Sequence, residues 1–132
     1  MSQKPYTILV TGANGQLGSE LRALVSDDAL MKTIFLDRSQ LDFARLDDAF
    51  DASLSNYKNI KYIINCAAHT AVDKAESEAE LAHTINSLAP ARLSHFCQQN
   101  GARMIHISTD YVYHTQQNTP FCEDDAVAPK GV

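Results

Sequence analysis

The sequence predicts an α/β fold, a doubly wound parallel sheet with helices on both faces. Short apolar runs alternate with helical patterns along the chain, and that order builds a parallel sheet covered on both sides. A glycine-spaced turn, Thr11-Gly12-Ala13-Asn14-Gly15-Gln16-Leu17-Gly18, separates the first apolar run from the first helical pattern. The unusual polar and small residues cluster where strands end: Gly12 to Gly18, Asp37, Asn65 to Thr70, and Ser108 to Tyr113. In open α/β sheets ligands bind at the carboxyl ends of the strands, so these clusters mark the expected functional edge.

Thr7-Ile8-Leu9-Val10 is a brief apolar run halted by glycine, the signature of a buried parallel strand. Leu17, Leu21 and Leu24 recur at helical spacing and predict one buried face of the first helix. Thr33-Ile34-Phe35-Leu36 is the second strand, closed by Asp37, and a short third strand is possible around Asp42-Phe43. From Arg45 to Leu54, Leu46, Ala49, Phe50 and Leu54 share a helical face. Tyr62-Ile63-Ile64 is the centre of another buried strand. A long helical region runs from about Glu78 to Gln99, and Pro90 predicts a kink or restart within it, because proline lacks the N–H and clashes with the preceding turn. Asn100-Gly101 is a helix stop, Arg103 to Ile107 is the last strand, and the residues after Tyr113 read as loop. The sheet is therefore expected to end after about its fifth strand, in a single unit spanning residues 1–132.

Composition narrows the function classes. The 132 residues suffice for one domain with a real core. They are 45% hydrophobic and 20% charged, with a net charge of −5. No basic stripe suggests nucleic acid as a partner. The apolar runs are too short for a membrane-spanning helix. Met1 to Pro5 lead directly into a strand without a signal-peptide pattern, and a cytoplasmic location is expected. Cys66, Cys97 and Cys122 lack metal-ligand spacing and read as free thiols in a reducing compartment. His69, His83, His95, His106 and His114 likewise form no ligand pair, so no metal ligand is assigned.

The glycine turn carries the chemistry. Gly12 permits the tight turn, Gly15 lets backbone approach a pyrophosphate, and Gly18 lets helix and strand pack closely. The helix N-terminus adds free N–H donors and the positive dipole end. No Lys-Ser or Lys-Thr follows, which excludes a nucleotide-hydrolysing phosphate loop. The reading is a Rossmann-like dinucleotide site taking NAD(H) or NADP(H). Asp37 stands where an acid holds adenosine ribose hydroxyls, favouring NAD, while Arg38 could pair with the 2′-phosphate of NADP. A solvated turn acid is the alternative for Asp37. Asp42 and Phe43 could contact adenine, or be an ordinary acid and a core aromatic.

The G-x-x-G-x-x-G spacing resembles the extended short-chain dehydrogenase/reductase family. Asn65-Cys66-Ala67-Ala68-His69-Thr70-Ala71-Val72-Asp73-Lys74-Ala75-Glu76, together with Ser108-Thr109-Asp110-Tyr111-Val112-Tyr113, narrows this to a resemblance with the dTDP-4-dehydrorhamnose reductases, from Ile8 to Val132. These reduce a dTDP-4-keto-6-deoxy sugar with a nicotinamide cofactor. The resemblance implies that Gly15, Gln16 and Leu17 line the pyrophosphate, that Asp37, Asp42 and Phe43 hold the adenosine, and that Asn14 also belongs to the cofactor site. It implies that Ala67, Ala68, His69 and Thr70 border the ribose and nicotinamide. Thr109 would be the hydroxyl of the catalytic triad, Asp110 and Tyr111 would contact the sugar nucleotide, and Asn86 would support the site. Some family members use magnesium, and a homo-oligomer is possible.

Ketone reduction needs a hydride and a proton donor beside the developing alkoxide. Thr109 can donate a hydrogen bond, but a threonine hydroxyl is too weak an acid to be that donor. Without its flanking motif it would read as a strand-end cap. The family's Phe-Asp-Gly is replaced by Tyr113-His114-Thr115, which predicts a different loop shape. The family's Tyr-x-x-x-Lys pair would begin just beyond Val132, and the sugar-nucleotide domain would follow it. The chain is thus expected to be the N-terminal part of such a reductase, as a truncated reading frame, a proteolytic fragment or a cloned piece, and to bind without reducing. The alternatives are a non-catalytic module, like the regulatory subunit of methionine adenosyltransferase, or another extended-family epimerase or dehydratase. An incomplete sheet would leave its last strand at a raw edge, predicting self-association or marginal stability.

Overall fold

The computed structural model describes residues 4–113 and 119–131. Among these residues four parallel strands form one sheet: β1 (Tyr6–Thr11), β2 (Met31–Leu36), β3 (Ile60–Asn65) and β4 (Arg103–His106), in the order β2-β1-β3-β4. Five α-helices lie between them: α1 (Gln16–Leu24), α2 (Asp48–Ser55), α3 (Val72–Ala75), α4 (Ala79–His83) and α5 (Ala89–Asn100). The β1-α1-β2 crossover runs one way along the sheet, and β2-α2-β3 and β3-α5-β4 run the other. Right-handed crossovers then put α1 on one face and α2 with α5 on the other. This is the doubly wound α/β architecture the sequence predicts.

The deep core lies on the α2–α5 face. Leu9 and Ile63 from the sheet pack with Phe50 and Leu54 of α2 and with Leu93, Phe96 and Cys97 of α5. Burial pushes the Cys97 thiol pKa up, as expected for an inert core cysteine. Arg92 on α5 fastens the two helices from outside. It donates to both carboxylate oxygens of Asp51, at 2.9 and 2.7 Å, and to the carbonyl of Leu46. On the opposite face, the Arg22 guanidinium of α1 lies 5.1 Å over the Phe35 ring.

Several elements differ from their sequence pattern. The Leu17–Leu21–Leu24 face of α1 is not buried: Leu17 is 40% exposed, Leu24 is 79% exposed, and Gly18 is the buried residue. Helix α1 meets the sheet through that glycine, so its leucines at either end project past the contact. The second helix begins at Asp48 rather than Arg45, because Asp47 caps it by accepting from the Ala49 N–H at 3.1 Å. Ala49 is consequently exposed. Asp42 and Phe43 form no strand; the chain there turns from Asp37 toward α2.

The region around Pro90 resolves into α4, a π-helical turn at Thr84–Leu88, and α5. Pro90 sits in the first turn of α5, where the missing N–H interrupts the α-helical ladder and the wider turn absorbs the mismatch. Gly101 ends α5 in the left-handed conformation, φ 65°, as the Asn-Gly stop predicts.

Candidate functional site: four strand ends in line

The parallel register brings the carboxyl ends of all four strands level. Thr11 pairs with Leu36 on one side and with Asn65 on the other, and Asn65 pairs with His106. The residues that follow, Gly12, Asp37, Cys66 and Ile107, therefore emerge side by side along one edge. This alignment assembles sequence segments nearly a hundred residues apart.

At the β1 end the turn is dictated by contact. Gly12 has φ +68°, and a Cβ there would sit 2.6 Å from the Ala67 nitrogen and the Cys66 carbonyl carbon. A Cβ on Gly18 would lie 2.3 Å from the Gly12 carbonyl oxygen. Only hydrogen fits at either place. Gly15 is the N-cap of α1, with no side-chain cap and no acidic residue in the first turn. The first-turn N–H groups thus have no intrahelical acceptor and keep the positive end of the helix dipole. A side chain on Gly15 would meet only the Gly12 carbonyl, at 3.2 Å, so hydrogen there leaves the space above the turn open. Asn14, Gly15, Gln16 and Leu17 are all exposed around it.

At the β2 end, Asp37 faces the glycine turn. Its Oδ1 accepts from the Ser39 N–H at 2.9 Å and the Ser39 hydroxyl at 2.6 Å, and its Oδ2 accepts from Asn14 Nδ2 at 3.4 Å. The Ser39 bonds hold its carboxyl pKa below the usual value. Arg38 is turned to Asp42, with Nε 3.2 Å from Oδ1. Phe43 is 5% exposed and packs edge-on against Phe50, with centroids 5.7 Å apart. Its ring packs in the core, the alternative that the sequence left open for this aromatic. The cause is the turn after Asp37, which points alternate apolar residues, Leu41 and Phe43, inward.

At the β3 end the chain continues through Cys66, Ala67, Ala68, His69 and Thr70. Burial raises the Cys66 thiol pKa. Ala67 is half-buried, while Ala68 and Thr70 are exposed. The His69 side chain is 10% exposed, and its Nε2 lies 3.0 Å from Glu78 Oε2. Asn86, in the π-helical turn, accepts from the His69 N–H at 2.8 Å and donates to the His69 carbonyl at 3.1 Å.

At the β4 end, Thr109 lies three residues past the strand. Its hydroxyl oxygen accepts from the Tyr111 N–H at 3.2 Å, capping a 3-10 turn at Asp110–Val112. The capping role is real, and it leaves the hydroxyl hydrogen free to donate elsewhere. Asp110 and Tyr111 are exposed. The following chain folds back over this turn: the Ala128 N–H donates to the Val112 carbonyl at 2.8 Å, and the Tyr113 and Phe121 rings stack at 4.4 Å. The departure at His114-Thr115 lies outside the described residues.

Sequence reasoning missed a buried polar network under these loops. Thr11 and Asn65 are each 1% exposed. The Thr11 hydroxyl donates to Asn65 Oδ1 at 2.6 Å, the Ala67 N–H donates to the same oxygen at 3.2 Å, and Asn65 Nδ2 lies 3.0 Å from His106 Nδ1. The available signal was a polar residue closing each of three strands: Thr11, Asn65 and His106. A Tyr-x-x-x-Lys spacing at Tyr57 to Lys61 was also missed. It precedes and enters β3 at the amino end of the sheet. There Tyr57 packs on the core, and Lys61 lies 4.6 Å over the Tyr6 ring. It is remote from the four aligned strand ends.

Among the described residues no group of three or more His, Cys, Asp or Glu could hold a metal ion. No helix among them is long and apolar enough to cross a membrane.

Comparison with known proteins agrees with this geometry. The chain is 36% identical to the dTDP-4-dehydrorhamnose reductase of Mycobacterium tuberculosis (strain ATCC 25618 / H37Rv), over 100% of the chain and 43% of that relative. The crystal structure of a dTDP-4-dehydrorhamnose reductase from Clostridium acetobutylicum superimposes with a TM-score of 0.85 at 38% identity, covering 95% of this chain and 44% of that one. The Bacillus anthracis dTDP-4-dehydrorhamnose reductase, solved in complex with NADP, gives a TM-score of 0.85 at 31% identity, covering 96% and 44%. The chain thus spans less than half the length of these relatives. Residues 6–132 match the family model described as RmlD substrate binding domain. The chain belongs to that family, whose matched relatives here are dTDP-4-dehydrorhamnose reductases.

Proposed function

We propose that residues 1–132 are the dinucleotide-binding part of an NAD(P)H-dependent reductase that converts dTDP-4-dehydro-L-rhamnose to dTDP-L-rhamnose. The alignment of four strand ends carries this reading, because it sets the glycine turn, Asp37, the 67–70 loop and Thr109 along one edge. The residues fit a dinucleotide. The uncapped N-terminus of α1 suits a pyrophosphate, and the open space above Gly15 admits it. The Asp37 carboxylate, held ionised by Ser39, can accept from ribose hydroxyls. When bound, the nicotinamide supplies the hydride.

The chain's own residues divide the remaining work. Asn14 and Asp37 join the turn to the ribose position. Ala67 and Ala68 are small enough to leave room beside the 67–70 loop. Asn86 and Glu78 hold that loop through the backbone and ring of His69. Thr109, with its oxygen engaged by Tyr111, presents a hydroxyl hydrogen for the substrate carbonyl oxygen. Asp110 and Tyr111 stand exposed beside it for the sugar nucleotide. The proton donor is the tyrosine of a family Tyr-x-x-x-Lys pair other than Tyr57–Lys61. Residues 1–132 alone bind cofactor without turnover.

The test is direct. NADH and NADPH titrations of the 132-residue chain should show saturable binding. Reduction of dTDP-4-dehydro-L-rhamnose should appear only when the polypeptide also includes that second pair. Absence of binding by either cofactor overturns the dinucleotide reading. Turnover by the 132 residues alone overturns the division of labour. Binding without turnover in the longer polypeptide, with a partner protein co-purifying, favours a regulatory module.

A further inference from the structure

The buried amide of Asn65 has a fixed orientation. The Ala67 N–H can only donate, so the Asn65 atom 3.2 Å away must be its carbonyl oxygen. The same oxygen also accepts the Thr11 hydroxyl hydrogen. Asn65 Nδ2 then points at His106 Nδ1, 3.0 Å distant. An amide NH2 can only donate, so His106 Nδ1 must be the acceptor and the ring proton resides on Nε2. One histidine tautomer completes a chain of bonds running from the β4 end, through Asn65 on β3, to the β1 end and the start of the 67–70 loop.

We propose that His106 is a positioning residue for the nicotinamide side of the cofactor site: its Nδ1 lone pair orients Asn65, and Asn65 fixes the Ala67 amide and the Thr11 hydroxyl. This rests on the dinucleotide reading above and deepens it. The bonds span the ends of three adjacent strands, so the linkage is short and direct. Asn65 is 1% exposed, and an unmatched buried amide donor carries a desolvation cost. Rotation of the Asn65 amide to recover a partner would withdraw its oxygen from Ala67. Ala67 in turn sits against the Gly12 turn, where a Cβ on Gly12 would come within 2.6 Å of the Ala67 nitrogen. A shift at Ala67 is therefore felt on both sides of the site. His106 also lies three residues before Thr109, so the same ring ties the cofactor loop to the segment that carries the proposed catalytic hydroxyl.

His106 is itself exposed, so replacing the ring opens no core cavity. Three measurements on the 132-residue chain decide the matter: the imidazole 15N signals, hydrogen exchange of the Ala67 amide, and the NADH dissociation constant. His106 should show an unprotonated Nδ1 and a protonated Nε2. His106→Leu should speed Ala67 exchange and weaken NADH binding, each by roughly three- to tenfold. His106→Asn, whose Oδ1 replaces the Nδ1 acceptor, should restore both to within about twofold. A protonated Nδ1 tautomer overturns the proposal, as does wild-type behaviour of His106→Leu or failure of His106→Asn to rescue. If the unaltered chain binds no nicotinamide cofactor, the dinucleotide reading falls, while the tautomer and Ala67 exchange still decide the relay.

Discussion

Asn86 binds the peptide groups on either side of His69 with one side chain, accepting from its N–H at 2.8 Å and donating to its carbonyl at 3.1 Å. The residue that does this sits in a π-helical turn just ahead of Pro90. Such wide turns occur preferentially at functional sites. Here the turn presents an amide to the backbone of a loop on a neighbouring segment. Asn86→Leu removes both bonds and should loosen residues 67–70. Cofactor affinity is expected to fall about tenfold, with a small drop in Tm. Titration by NADH fluorescence checks this, and unchanged affinity in a folded variant removes Asn86 from the site.

Two glycines of the turn should be intolerant of a side chain, while Gly101, at the end of α5, should tolerate one better. Gly12→Ala combines a positive φ with contacts at 2.6 Å, and Gly18→Ala drives a Cβ to 2.3 Å from a carbonyl oxygen. Each should cost more than about 2 kcal/mol. Gly101→Ala also has a positive φ but meets no atom within 4 Å, and should cost about 1 kcal/mol. Urea unfolding of the three variants gives the order.

Asp37 is the predicted discriminator between the two nicotinamide cofactors. Hydrogen bonds from Ser39 lower its carboxyl pKa, and the carboxylate would repel a 2′-phosphate. Asp37→Ser should weaken NADH binding and improve NADPH binding, moving the ratio of dissociation constants by about tenfold. Arg38 is engaged with Asp42, so Asp42→Asn should raise NADPH affinity further by releasing the guanidinium. Parallel titrations with the two cofactors read both effects, and an unchanged ratio in Asp37→Ser would exclude the role.

The Arg92–Asp51 pair should leave a mark in acid. Hydrogen bonding to Arg92 lowers the Asp51 pKa below its ordinary value. A carboxylate lowered on folding stabilises the native state fully above its unfolded pKa of about 3.9, and that contribution is lost as pH falls through the folded value. Asp51→Asn should therefore lower Tm at pH 7. The gap to the unaltered chain should shrink below about pH 4 as Asp51 is protonated in both states. A gap independent of pH would show that packing, not ionisation, sets the contribution of this pair.

Strand β4 is an edge strand among the described residues, and Ile105 within it and Ile107 just after it are each 48% exposed. Unpaired strand edges with exposed β-branched residues invite pairing with another chain. Sedimentation should show concentration-dependent association of the 132-residue chain, reduced in Ile105→Lys. A monodisperse monomer across concentrations would count against this.

The pattern of residues along the chain points to the architecture. Strand runs bounded by Gly12, Asp37 and Asn65 announced a parallel sheet, and the glycine spacing announced what its edge could bind. These signals are local: each depends on backbone conformation or on periodicity within a few residues. Burial across elements was less legible. Leu17 and Leu24 have helical spacing yet stand exposed, because α1 meets the sheet at Gly18. Phe43 could be read equally as ligand contact or core, and its packing on Phe50 shows its ring in the core. Tyr57 and Lys61 match a catalytic spacing, but parallel topology places them at the wrong end of β3. The Thr11–Asn65–His106 network, the Asn86 clamp and the Arg92–Asp51 tie join residues 17 to 54 positions apart. Strand register and helix packing set those meetings, and no single segment encodes them. The sequence by itself determined the parallel α/β sheet, most of its elements and the glycine-spaced turn. Tertiary structure alone decided which side chains converge at the strand ends, because hydrogen bonds and burial depend on distances between segments that local periodicity does not specify.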